Sequence, residues 1–83
     1  MVELRVFKPL GGRTASVEAW ENGALIAEVF AREEGDRRLY LSDGAHVRGI
    51  AWDSFAELAP RITALLDGAD AEMAEVRAQT GDA

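Results

Sequence analysis

The sequence predicts an α+β domain: a curved antiparallel sheet of four to five strands with a C-terminal helix packed on one face. Three observations carry this expectation. "VELRVFK" (Val2 to Lys8) alternates apolar and polar residues with the period of a strand. "AWENGALIAEVFARE" (Ala19 to Glu33) carries two strand-like arms around Asn22-Gly23, a strong hairpin signal. From Asp53 onward the apolar period changes from two to three-and-four, the mark of an amphipathic helix.

Element by element, strands are expected over about residues 2–8, 14–20, 24–32, 37–41 and 46–52, and helix over 54–79, all in one domain spanning 1–83. The first strand ends at "PLGGR", where a proline and two glycines favour a turn. "TASVEAW" and "ALIAEVFARE" form the hairpin, "RRLYL" the next strand after the polar loop "EEGD", and "HVRGIAW" a last one after the turn "SDG". That last stretch has His46, Arg48, Ile50 and Trp52 on one side and Val47, Gly49 and Ala51 on the other, which leaves its register open. Ser54 with Glu57 reads as a capping box opening the helix. Phe55, Leu58, Ile62, Leu65, Leu66, Ala69, Met73 and Val76 then make one stripe. Pro60 should kink it, and Gly68 could divide it; the stripe keeps phase through Gly68, which favours one bent helix over two. The last four residues read as a frayed end.

Hairpin register decides which residues face the core. A two-residue loop, Asn22-Gly23, pairs Trp20 with Leu25 and Val17 with Glu28 and mixes both faces. A three-residue loop, Glu21-Asn22-Gly23, puts Ala15, Val17, Ala19, Leu25, Ala27, Val29 and Ala31 on one face without a charge. Ser16, Glu18, Trp20, Ile26, Glu28, Phe30 and Arg32 then share the other. The second register is preferred, and Arg38 and Tyr40 join the outer face if Leu39 and Leu41 face the core.

Composition narrows the function. The 83 residues contain no cysteine and one histidine, His46, so neither disulfides nor a metal centre is expected to staple so small a chain. Self-association is the remaining common device, and a homodimer is expected. Net charge is −6, unevenly placed: residues 1–50 hold seven Arg or Lys against eight Asp or Glu, and residues 51–83 two against seven. This balance disfavours non-specific duplex binding. No apolar run approaches a membrane span and no leader pattern opens the chain, so a cytoplasmic protein is expected. His46 has only Ser42 nearby as a nucleophile, in a turn beside Asp43, and no catalytic constellation forms. The expectation is a non-enzymatic binding protein with no cofactor, no metal and no small-molecule substrate.

Its candidate binding residues are Trp20, Ile26, Phe30, Arg32, Arg38, Tyr40 and Arg48. Rings among arginines suit single-stranded nucleic acid, where bases stack and guanidinium groups follow phosphates. They equally suit a protein interface. "VRGIAWDSFAELAPRITALLD", with "ENGALIAEVFARE" upstream, resembles the positive-cofactor-four family of transcriptional coactivators over about residues 16–66. The resemblance implies a curved four-stranded sheet plus helix, a dimer, and single-stranded DNA on the sheet. Gly49, Ile50 and Phe55 would be structural positions, with Phe30 and Arg32 on a strand that meets DNA. The alternative is a small acidic inhibitor or nucleic-acid mimic, of the phage anti-CRISPR or anti-restriction type. It would present Asp67, Asp70, Glu72 and Glu75 to a basic partner.

Overall fold

In the computed structural model, which describes residues 2–33 and 35–80, four strands form one antiparallel meander and two helices follow. β1 (Val2–Phe7), β2 (Ser16–Glu21), β3 (Ala24–Ala31) and β4 (Arg37–Leu41) lie in the order β1-β2-β3-β4. α1 (Asp43–Arg48) and α2 (Trp52–Thr80) both pack on one face of this sheet. The α+β expectation therefore holds, with four strands. The frayed end expected at the C-terminus lies, from residue 81 on, outside the described residues.

The hairpin departs from the expected three-residue loop. Asn22 and Gly23 have φ of 52° and 78°, and Glu21 pairs directly with Ala24, so the turn has two residues. Positive φ at both central positions matches a type I′ turn, whose twist suits the flanking strands and which asparagine and glycine tolerate. A bulge then restores the charge sorting. Trp20 pairs with Leu25 but Ala19 with Ala27, which leaves Ile26 as an extra residue on β3. Beyond the bulge, Val17 faces Val29 and Glu18 faces Glu28. The bulge sends Ile26 inward beside Ala27, at 8% exposure, and leaves Leu25 across from Trp20 on the outer face. Both of those placements reverse the expectation.

The stretch expected as a fifth strand is divided between a helix and a loop. The Ser42 side chain accepts from the Ala45 N–H at 3.2 Å, capping α1, while Ser42 N–H donates to the Ile26 carbonyl. Gly49, at φ 76°, ends α1 with its N–H on the Ala45 carbonyl. Within α1 only Ala45 is buried, against Ala19, Ile26 and Ala27.

α2 runs without a break through Pro60 and Gly68. It begins at Trp52, and Phe55 N–H already donates to Ala51, so Ser54 is inside the helix and not its cap. Leu58, Ile62, Leu66, Ala69 and Met73 are buried at steps of four, four, three and four. With Ala15 and Val17 they form the larger core cluster, flanked by Val2, Leu4, Val6 and Val29. Leu65 and Val76, expected in the stripe, are turned outward. At 1.5 Å per residue α2 is about 43 Å long, roughly twice a six-residue strand. Its overhang explains a radius of gyration of 13.9 Å, against about 12 Å for a compact chain of this length.

Gly68 lies on the exposed side of α2, and a Cβ there would meet nothing within 4 Å. Gly68→Ala is therefore expected to stabilise the fold by about 0.5–1 kcal/mol. Urea unfolding checks this: an unchanged or lowered midpoint would mean that Gly68 serves a contact not accounted for.

Candidate interaction face

The two helices leave the opposite face of the sheet uncovered, and strand pairing lays out its side chains in three rows. Phe7, Ser16, Phe30 and Arg38 form one; Arg5, Glu18, Glu28 and Tyr40 the second; Glu3, Trp20 and Leu25 the third. Pairs one row apart interact on the diagonal. Phe30 and Tyr40 stack with ring centroids 4.6 Å apart and planes 16° from parallel. The Arg5 guanidinium lies 4.4 Å from the Trp20 ring centre and also pairs with Glu3. The Trp20 indole N–H donates to Glu18 at 3.0 Å. These contacts link the rings to one another and to Arg5, Glu3 and Glu18 across the strands.

At the centre of the face Glu18 stands directly across from Glu28. Like charges so placed are unfavourable unless a cation neutralises them. Among the described residues, no hydrogen bond or ion pair reaches the Glu28 carboxylate. Arg38, the nearest cation on β4, is paired with Asp36 at 3.0 Å. The Tyr40 hydroxyl is shielded from solvent and meets no partner among the described residues, an unsatisfied group that costs about 1–3 kcal/mol.

Of the residues predicted for this site, Trp20, Phe30, Arg38 and Tyr40 come together on one face. Arg32 is exposed just past the end of β3. Ile26 does not belong here, because the bulge buries it in the smaller core cluster. Arg48 does not either: it ends α1, on the helix side of the sheet, with its guanidinium beside Gly44. Arg5 and Phe7 join the face unpredicted. Their alternation with Val2, Leu4 and Val6 marked an outward side of β1, but only the pairing of β1 with β2 identifies which face that is.

Of the four acidic residues predicted for a partner on α2, three make contacts within the chain. Asp70 accepts from the Ala15 backbone N–H at 2.8 Å and from Arg37 at 3.1 Å. Asp67 pairs with Arg37 at 2.8 Å, and Glu72 with Lys8 at 2.6 Å. Three of the four carboxylates thus tie α2 to residues in or next to the strands, while Asp67, Glu72 and Glu75 stay exposed. Burial pulls the Arg37 guanidinium down, but hydrogen bonds to Asp67 and Asp70 and their charges outweigh it and hold Arg37 above its ordinary value.

No helix among the described residues is long and apolar enough to cross a membrane. No cluster of three or more His, Cys, Asp or Glu side chains is placed to hold a metal there. Comparison of the chain with protein-family models, with curated proteins and with solved structures gives no match.

Proposed function

We propose that this chain is a non-catalytic binding domain that docks a protein partner on the uncovered face of its sheet. The observation that carries the reading is the directly opposed Glu18–Glu28 pair, in which Glu28 has no ion pair among the described residues, in the middle of a band of rings. A partner that lays an arginine or lysine between these carboxylates and apolar groups on Phe7, Trp20 and Phe30 would relieve the repulsion and bury the rings together. Aromatic anchors around half-buried charges have the make-up of an interface centre.

The same pair weighs against single-stranded nucleic acid. A strand stacked on Trp20 and Phe30 would carry its phosphates across Glu18 and Glu28, with Arg5 and Arg38 the cations among the described residues of the strand rows to offset them. This reading shares a basic partner with the inhibitor alternative and differs in placing the acidic contact on Glu18 and Glu28 of the sheet.

A photo-crosslinking residue at position 30, introduced in the cells that make the protein, tests the proposal. It should capture a discrete protein, and Glu28→Lys should reduce the yield by about tenfold or more, as for loss of a charge at an interface centre. The same residue at Ala64, exposed on α2, should not capture it. Equal capture from both positions, or capture indifferent to Glu28→Lys, would remove the proposal.

A further inference from the structure

The meander leaves β1 and β4 as its free edges, and the two differ in what a second copy would meet there. Antiparallel pairing of β1 with its own copy, centred on Leu4, places Val2 opposite Val6, Leu4 opposite Leu4, and Glu3 opposite Arg5. Every charge on the strand then meets its complement once, and the Glu–Arg pair occurs twice, once on each side of the two-fold axis.

The position of α2 agrees with this edge. α2 packs over β1 and β2, with Leu58 near Val2 at one end and Glu72 bonded to Lys8 at the other. A second copy joined at β1 would bring the two α2 axes about 10 Å apart, the spacing of packed helices. Helix geometry puts Leu65 on that flank, the side of Glu72, while Asp67 and Asp70 point the other way to Arg37. Leu65 is 38% exposed, an apolar side chain in the place where the seam would close. Pairing at β4 lacks these features. Centred on Leu39 it sets Arg37 against Leu41, and it leaves the α2 helices about 30 Å apart.

The surface area leaves room for a second copy. The chain exposes 5911 Å², about 1,000 Å² more than expected for a compact monomer of 9.0 kDa. A stable dimer needs about 800 Å² from each copy. We infer that the protein self-associates through β1, forming an eight-stranded sheet with paired α2 helices on one face and two copies of the aromatic band on the other. This interface leaves Phe30 and Glu28 free, so it stands whether or not the proposed partner docks there.

Charge exchange within β1 tests the register. The full chain should sediment at twice 9.0 kDa. Glu3→Arg sets arginine against Arg5 and should weaken the dimer at least tenfold; Arg5→Glu should do the same. Combining both substitutions should restore it, a rescue that a merely destabilised fold would not give, and circular dichroism checks the fold of each variant. Leu65→Asp should also give monomers. A wild-type monomer at 100 µM would overturn the inference. So would a dimer that survives both single reversals, or one broken by Leu39→Lys in their place.

Discussion

Replacing Leu66 by alanine is expected to remove about 3 kcal/mol of stability and lower the melting temperature by about 15 °C or more. Leu66 is 1% exposed at the centre of the larger cluster, packed with Val17, Ile62 and Met73. A domain of this size has only about 4–12 kcal/mol in total, so the variant should be partly unfolded at physiological temperature. Leu65→Ala is the internal control. Its side chain is outside the core, so it should cost below about 1 kcal/mol in the isolated chain. Thermal melts of both variants, followed by circular dichroism at low concentration, separate them. Equal losses would mean that the rotation of α2 about its axis differs from that described.

Asp70→Ala is expected to cost about 2–3 kcal/mol, the second largest effect. One carboxylate accepts the backbone N–H of Ala15, itself 2% exposed, and the guanidinium of Arg37 from the far edge of the sheet. Its removal leaves a buried donor without an acceptor and a cation with one partner fewer. Asp70→Asn should fall between, since its amide oxygen can still accept from Ala15. Arg37 adds no pH dependence near neutrality. Its raised folded value means its stabilisation is complete below the ordinary arginine range and is lost only as strong alkali titrates it. Urea titrations of the two variants at pH 7 check the order. A loss under about 0.5 kcal/mol for Asp70→Ala would show that solvent replaces the carboxylate at Ala15.

Much of the fold was legible because period carries side-chain direction. Leu58, Ile62, Leu66, Ala69 and Met73 were readable as a helix stripe, and "VELRVF" and "RRLYL" as strands. Charge sorting correctly separated Val17, Ala19, Ala27 and Val29 from Glu18, Glu28 and Phe30. It failed at Leu25 and Ile26, because a bulge changes parity without any residue type that marks it. The three-residue turn was inferred to do what the two-residue turn and the bulge do together. α1 was missed because six residues are too few to display a helical period, although Ser42 and Gly49 stand at its two caps. The early start of α2 has a related cause, since Ala51 caps it without a polar side chain.

The candidate site was legible where it depended on one hairpin and obscure where it depended on distant pairing. Trp20 and Phe30 follow from the hairpin, with Arg38 and Tyr40 from its neighbour. Arg5 and Phe7 require the β1–β2 register, and Arg48 leaves the face because its strand is a helix. The long-range bonds of Asp67, Asp70 and Glu72 within the chain span 30 to 64 residues of sequence, a range that local pattern does not reach.

The most direct test of the face is the emission of Trp20, isolated by replacing the exposed Trp52 with phenylalanine. At low salt, a single-stranded oligonucleotide of about twenty nucleotides should leave it unchanged. An arginine-rich amphipathic peptide should quench or shift it saturably, and Glu28→Lys should abolish that response. Salt-sensitive quenching by the oligonucleotide, with no response to the peptide, would contradict the account.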